Sequence, residues 1–287
     1  MPLRALFFLC VACACGQTPA PTGRLVDIGG YRVHLNCAGS GSPTVTIVGA
    51  GFSFDWALVQ PEVAKFATVC TYDVSGAAWS DPGPKLDCRG RVHQVRELMR
   101  TAQLKAPYVQ VGLSLGACVA RLYAAEYPSE VAGMIIVDHA FLPDSGPAKA
   151  TSFAGLDSPP VLIEKTPLEV TVEDSSEFDN LPRRSQELHR WAMSLRPKLP
   201  TADDAEDCLA QLKAARPLGD LPLVVVSTGN EAPGYARLQT QLLALSRRSS
   251  QMKAERSFHS VEIDQPEVAI AAIRKVVRLT SVRPAPR

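Results

Sequence analysis

The sequence predicts an α/β fold with a mostly parallel β-sheet and helices on both of its faces. Short apolar stretches of strand length alternate with longer stretches of helical periodicity over residues 44–137 and again from residue 221 onward. This alternation is typical of βαβ units joined by right-handed crossovers. A Gly-x-Ser-x-Gly motif at residues 112–116 stands between one such strand and a helix. We therefore expect a single core sheet with a functional motif at a strand-to-helix turn.

The composition excludes several classes of protein. Hydrophobic residues make up 46% of the 287 residues, which is more than a disordered chain contains. The 30 Lys and Arg nearly balance the 29 Asp and Glu, so the net charge is +1. A protein that binds nucleic acid by neutralising phosphates usually has a clear basic excess, so we expect no nucleic-acid partner. The length allows two domains of about 150 residues, but α/β folds of this size are often single.

Residues 1–16 predict a secretory signal peptide. One positive charge precedes an apolar run over residues 5–15, and the run is shorter than the ~20 residues needed to span a bilayer. A buried N-terminal segment is an alternative. A lipid anchor on Cys13 or Cys15 is another, although neither cysteine has a Leu three residues before it. We expect cleavage after Gly16 and a secreted or periplasmic protein, with no stable membrane insertion after the signal is removed.

The cysteine count becomes odd once the signal peptide is removed. The chain has eight cysteines, and three of them lie within the predicted signal. In an oxidising compartment the remaining five can form at most two disulfides, with one thiol left over, and the pairing stays open. Cys118 falls in a predicted buried helix and is the candidate for the free thiol. These five cysteines include no Cys-x-x-Cys pair, so we expect no zinc site. The five cysteines are Cys37, Cys70, Cys88, Cys118 and Cys208.

The first half of the chain predicts a hairpin followed by strand–helix pairs. Gly29-Gly30 forms a turn signal between two β-patterned runs. Asp55 suits the N-cap of the first helix, and Pro128 ends the helix that follows the serine motif. The predicted strands are residues 25–28, 32–36, 44–48, 68–72, 108–112 and 131–137, and the predicted helices are residues 55–66, 89–104 and 115–127.

Residues 140–218 interrupt the alternation. Pro, Ser and acidic residues are frequent at first, and two polar helices are predicted after them. This pattern indicates a helical cap inserted into the core rather than an independent domain. The two helices are residues 183–195 and 202–214, after which strands 221–226 and 252–258 alternate with helices 235–247 and 266–279. The predicted organisation is a signal peptide (1–16), the first part of the core (17–139), the cap insertion (140–218), the second part of the core (219–280) and a disordered tail (281–287).

Ser114 is the candidate nucleophile, because Gly-Leu-Ser-Leu-Gly follows a buried strand and opens a helix. In this context the motif forms a nucleophile elbow, a sharp turn that holds the serine in a strained conformation. Gly112 and Gly116 leave room for neighbouring backbone. The alternative is a glycine-rich βα turn whose serine has no function.

His259 is the candidate general base, because a serine hydroxyl needs one at neutral pH. It follows the last predicted strand, and the order serine, acid, histidine is the one that nucleophile-elbow enzymes use. The other histidines are assigned to a sheet face (His34), to polar, solvated helix positions (His93 and His189) and to a strand end (His139).

The acid that would orient His259 is less clearly marked. Glu231 lies in a turn beyond the strand at residues 221–226 and is preferred. Asp138, at the end of the preceding strand, and Asp144, just after it, are the alternatives.

The backbone amides of Leu115 and Phe52 are the candidate donors of an oxyanion hole. Leu115 follows the candidate nucleophile, and Phe52 lies in a small-residue loop after strand 44–48.

On these motifs the chain resembles the α/β-hydrolase superfamily, and in particular its bacterial single-domain serine hydrolases with a helical cap. The resemblance covers nearly all of the chain after the signal, and it implies an eight-stranded sheet with the cap between strands six and seven. Leu113 stands where such proteins usually have His, Ala117 replaces a second Gly, and residues 74–78 lack the usual Arg and Gly. The matching segments are Gly49-Ala50-Gly51 with Asp55-Trp56, residues 69–73 and 79–83, the serine motif, Val137-Asp138 and Phe258-His259.

The expected function is hydrolysis of an acyl bond, most simply an ester, by a Ser–His–acid triad through an acyl-enzyme. Amide, peptide, thioester and lactone substrates stay open, and the expected partner is a small acyl substrate, with no metal or organic cofactor. A serine nucleophile disfavours haloalkane and epoxide hydrolysis, which in this fold use a carboxylate. The alternative is an exported, non-catalytic binding protein. A dinucleotide-binding protein is disfavoured, because no Gly-x-Gly-x-x-Gly follows the first strand.

Overall fold

The computed structural model describes residues 18–49, 51–139, 176–197, 202–229 and 235–281. The predicted signal peptide, most of the first half of the predicted cap and most of the predicted tail lie outside these residues. So does Glu231. Among the described residues, no helix is both long and apolar enough to cross a membrane.

The core is one eight-stranded sheet in the spatial order β1-β2-β4-β3-β5-β6-β7-β8. The first two strands form the predicted antiparallel hairpin, β2 pairs antiparallel with β4, and all other pairs are parallel. The predicted mostly parallel sheet is therefore confirmed. The strands are β1 (Arg24–Asp27), β2 (Arg32–Ala38), β3 (Val45–Val48), β4 (Val69–Tyr72), β5 (Tyr108–Leu113), β6 (Val131–Val137), β7 (Leu223–Thr228) and β8 (Ser249–Ala254).

Helices cover both faces of the sheet, as predicted. One apolar core lies between the sheet and α2, α3, α5 and α6, and a second lies between the opposite face and α1 and α8. Because the central strands are covered on both faces, β3, β4, β5 and β7 are buried along their whole length. The helices are α1 (Gln60–Val63), α2 (Cys88–Thr101), α3 (Leu115–Glu126), α4 (Arg183–Ser194), α5 (Ala202–Leu212), α6 (Tyr235–Leu243), α7 (Val261–Asp264) and α8 (Pro266–Ser281).

Two predicted elements were wrong in detail. The helix predicted over 55–66 is a 3₁₀ turn, Ser53–Trp56, followed by the short α1. Asp55 lies inside that turn rather than at an N-cap, because its carboxylate accepts the N–H of Phe52. The last strand was predicted over 252–258, but β8 ends at Ala254, where its parallel partner β7 also ends. The chain therefore turns well before His259.

The two helices described between β6 and β7 have different surroundings. α4 packs against the 3₁₀ turn Ser53–Trp56, while α5 packs against α2 and α3 in the helical layer that covers the sheet. A disulfide from Cys88 to Cys208 ties α5 to the start of α2. Within the region predicted as cap, α5 is thus a part of the core.

The cysteine prediction is confirmed. Cys37 and Cys70, which face each other on the antiparallel strands β2 and β4, form one disulfide, and Cys88 with Cys208 forms the other. Cys118 is free and buried in α3.

Candidate active site

The turn between β5 and α3 has the geometry of a nucleophile elbow. Ser114 adopts φ 54° and ψ −123°, and its positive φ is unfavourable for a residue with a side chain. Its N–H donates to the carbonyl of Val137 on the neighbouring strand (3.1 Å), and its own carbonyl accepts the N–H of Ala117 (3.0 Å). These two backbone bonds hold the serine in its strained conformation.

The two glycines of the motif are required by close backbone contacts. A Cβ on Gly116 would lie 1.9 Å from the carbonyl oxygen of Val48, at the end of β3. A Cβ on Gly112 would lie 2.5 Å from the Cα of Ala117. Side chains at either position would push α3 away from the sheet, so the spacing of the motif follows from steric exclusion.

His259 forms a hydrogen-bonded pair with Asp138. His259 Nδ1 lies 2.7 Å from Asp138 Oδ2, and the side chains are 35% and 8% exposed, respectively. Asp138 follows the last residue of β6 and has φ 38°, while His259 lies on the loop after β8. A buried carboxylate on Nδ1 fixes the ring orientation and favours the tautomer in which Nε2 accepts a proton.

The second oxygen of Asp138 is held by two groups that the sequence did not reveal. Tyr235 Oη donates to Asp138 Oδ1 at 2.5 Å, and Thr228 Oγ1 donates to the same oxygen at 3.2 Å. Burial, and then the charge of Asp138, raises the pKa of Tyr235 well above its usual range, so this hydroxyl stays a donor. Thr228 is the last residue of β7, the strand next to β6, so its position at the same sheet edge could have indicated this contact from the sequence. No feature of the sequence indicated the contact of Tyr235 with Asp138.

These contacts pair His259 with Asp138, the alternative acid, and leave the prediction of Glu231 untested. Glu231 lies outside the described residues, whereas both oxygens of Asp138 are engaged and one of them contacts His259. Strand register explains why the sequence did not decide between them. Leu113 of β5 pairs with Val137 of β6, so the residues that follow, Ser114 and Asp138, leave the sheet side by side.

The two predicted oxyanion donors differ in their surroundings. Leu115 is the first residue of α3, so its N–H has no acceptor within the helix and lies at the positive end of the helix dipole. The N–H of Phe52 instead donates to Asp55 Oδ2 at 2.8 Å, a contact that closes the 3₁₀ turn. Phe52 is therefore engaged within its own loop, contrary to the expectation that its amide faces the substrate.

A second histidine contacts the backbone of the elbow. His139 is fully buried, and its Nδ1 lies 3.1 Å from the carbonyl oxygen of Ser114. Its Nε2 lies 3.7 Å from the sulfur of Cys118. Burial raises the pKa of Cys118 to about 12, so this residue is a neutral thiol rather than a reactive thiolate at physiological pH.

Two further histidines pair with buried aspartates. His34 Nδ1 lies 2.8 Å from Asp73 Oδ2, with both side chains fully buried below the loop after β4. His189, predicted as a solvated residue on a polar helix, instead contacts Asp55 with Nδ1 3.0 Å from Oδ1. Its side chain is only 15% exposed, because α4 packs its apolar side against the core.

Comparisons with known proteins place the chain in a family. The family model described as alpha/beta hydrolase fold matches residues 47–223, more than half of the chain. The protein therefore belongs to the α/β-hydrolase fold family. The uncharacterized protein YqjL of Bacillus subtilis (strain 168) is 25% identical over 248 residues, which cover 82% of this chain and 85% of that protein.

Solved structures share the fold. An esterase from Thermogutta terrifontis superposes with a TM-score of 0.64 at 19% identity, covering 87% of this chain and 94% of that one. The epoxide hydrolase CorEH superposes with a TM-score of 0.62 at 19% identity, covering 90% and 99%. Because these two proteins differ in reaction, the fold alone does not select the chemistry, which has to be argued from the side chains of the site.

Proposed function

We propose that this protein is a serine hydrolase of small acyl substrates, with esters as the preferred class. The observation that supports this most directly is the placement of two features at one sheet edge. Ser114 leaves β5 in a strained elbow, and the Asp138–His259 pair lies beside it, because Asp138 leaves the neighbouring strand at the paired position. A nucleophile, a base and an orienting carboxylate are the groups that acyl transfer through serine requires.

In the proposed reaction, Ser114 Oγ attacks the acyl carbon while His259 Nε2 takes the hydroxyl proton. The carbonyl π electrons move to the oxygen, and the N–H of Leu115 stabilises the resulting oxyanion. The bond to the leaving group then breaks, and the leaving group takes the proton from His259. Water hydrolyses the acyl-serine by the same steps, which restores the hydroxyl of Ser114.

Asp138 holds His259 in the required tautomer throughout. Tyr235 and Thr228 occupy the other carboxylate oxygen, so Asp138 keeps its position when the imidazole gains a proton. A second oxyanion donor is expected from the loop after β3. With the Phe52 amide bound to Asp55, we assign this role to the amide of the preceding residue, Gly51.

The proposal is tested with short nitrophenyl esters and a fluorophosphonate probe on the protein with its disulfides intact. We expect turnover and covalent labelling, and loss of both in Ser114→Ala. A folded wild-type protein that neither hydrolyses the esters nor reacts with the probe would leave the binding-protein alternative.

Matched variants decide which acid acts in catalysis. Asp138→Asn should lower kcat by roughly 10³–10⁴-fold, because an amide favours the wrong tautomer of His259. Glu231→Gln should leave kcat within about threefold of the wild type, since Nδ1 of His259 is already bonded to Asp138. The opposite pattern would restore Glu231 as the acid.

We also propose that the protein is exported. The two disulfides support this, because such bonds persist in oxidising compartments. Expression in a bacterial host followed by N-terminal sequencing of the periplasmic fraction should give a mature chain that starts at Gln17. An unprocessed chain retained in the cytoplasm would contradict export.

A further inference from the structure

One carboxylate connects helix α4 to the loop beside the nucleophile. Asp55 Oδ1 lies 3.0 Å from His189 Nδ1, on α4, while Asp55 Oδ2 accepts the N–H of Phe52 at 2.8 Å. The two side chains are 15% (His189) and 6% (Asp55) exposed. A hydrogen bond at each oxygen, away from water, holds the carboxylate in one position.

Aromatic rings fix the imidazole of His189 as well. Its ring stacks on Phe178 with centroids 3.9 Å apart, and Phe52 meets it edge-on at 5.3 Å. Phe54 lies edge-on at 6.5 Å. Because packing determines the ring plane, Nδ1 points at Asp55 without a further loss of side-chain entropy.

The loop held by Asp55 lies against the nucleophile elbow. A Cβ on Gly51 would be 2.6 Å from Asp55 Oδ2, so the carboxylate rests directly on the Gly51 backbone. At the other end of the loop, the backbone of Val48 and Gly49 contacts Gly116, two residues after Ser114. A displacement of Asp55 would therefore move backbone next to the reacting serine.

The charge on Asp55 gives His189 a second role. Burial raises the pKa of Asp55, the hydrogen bond from His189 opposes that rise, and the charge of nearby Asp73 adds to it. The donor from α4 therefore favours the charged form of Asp55, and a charged carboxylate accepts the N–H of Phe52 more strongly than a neutral carboxyl does.

We propose that Asp55 and His189 are positioning residues, through which the docked helix α4 holds the Gly51–Phe52 backbone in the geometry that catalysis needs. This proposal rests on the proposed serine-hydrolase function. The rate of hydrolysis therefore depends on whether α4 is docked, even for a substrate too small to touch this helix.

Two substitutions at His189 separate the hydrogen bond from the packing. His189→Phe keeps a ring against Phe178 but removes the donor, and His189→Asn loses the ring but keeps an N–H near the position of Nδ1. With nitrophenyl acetate we expect His189→Phe to lower kcat about tenfold or more with KM within about threefold, because the effect on oxyanion stabilisation is indirect. His189→Asn should keep kcat within about threefold of wild type. Arg190→Ala, an exposed position on the same helix, is the control and should change neither constant.

Hydrogen exchange of peptides over residues 51–57 tests the link without activity. We expect faster exchange there in His189→Phe, and wild-type protection in His189→Asn and Arg190→Ala. Equal kcat and equal exchange in His189→Phe and the wild type would overturn the proposal. So would a larger loss in His189→Asn than in His189→Phe, which would assign the role to packing. If the wild type shows neither turnover nor labelling of Ser114, the proposed function fails, and the exchange result still decides whether the link exists.

Discussion

Removal of the Cys88–Cys208 disulfide should destabilise the protein more than removal of Cys37–Cys70. The two bonds close loops of very different length, with sequence separations of 120 and 33 residues. In the chain-entropy description a cross-link restricts the unfolded chain by an amount that grows with the logarithm of loop length. At 25 °C that relation gives about 5 kcal/mol for the longer loop and about 3.7 kcal/mol for the shorter one.

The assay is equilibrium unfolding in guanidinium chloride of two double variants, Cys88→Ala/Cys208→Ala and Cys37→Ala/Cys70→Ala, each compared with the wild type. We expect the first pair to lose at least about 1 kcal/mol more than the second. Added reductant should abolish the difference between wild type and variants. Equal losses, or a larger loss for Cys37–Cys70, would refute the argument and point to native-state packing as the source of the stability.

Three further predictions concern single side chains. Tyr235→Phe should lower kcat about three- to tenfold with little effect on KM in steady-state assays, because Asp138 loses one of its donors while keeping His259; a change in KM alone would contradict this. Glu130→Gln should cost about 1–3 kcal/mol of unfolding free energy at pH 7. The cost should shrink as the pH falls below the ordinary pKa of glutamate, because hydrogen bonds from Arg96 lower the pKa of Glu130 and the stability they give is lost as the carboxylate protonates; a penalty independent of pH would count against the ion pair. Cys118→Ala should leave turnover intact, and in the wild type this thiol should react with a thiol reagent only after unfolding, which a colorimetric titration measures.

The sequence predicted the parts of the fold that periodicity and turn chemistry control. The hairpin at Gly29-Gly30, the buried parallel strands and the α2 and α3 helices all follow from local pattern, and the structure contains them with shifts of a few residues. The end of β8 depends instead on a partner. The last strand stops where β7 stops, and the mixed polarity of Ser249–Ala254 does not indicate with which residues of β7 it pairs.

The site, like the fold, was predicted where local motifs determine it and not where distant segments meet. Ser114 was predicted because its motif is local, and the glycines beside it are explained by contacts that the motif always makes. Two contacts between distant segments were not predicted: Tyr235 on Asp138 bridges 97 residues, and His189 on Asp55 bridges 134. A histidine on a helix with charged neighbours looks solvated from the sequence, since nothing local shows that aromatic residues far along the chain cover it.

The choice between Glu231 and Asp138 stayed open in the sequence for a reason that applies to any parallel sheet. Both carboxylates lie between Ser114 and His259 in chain order and at or beyond the end of a predicted strand, and the turn beyond the seventh strand led to the preference for Glu231. Register decides proximity instead. β5 and β6 are neighbours, and their last paired residues, Leu113 and Val137, place Ser114 and Asp138 next to each other at the sheet edge. Because the loop after β8 brings His259 to the same edge, an acid at the end of β6 reaches the imidazole as directly as one after β7 would. Which carboxylates come near His259 is therefore set by which strand ends are adjacent, and strand adjacency is a property of the folded sheet that no local pattern encodes.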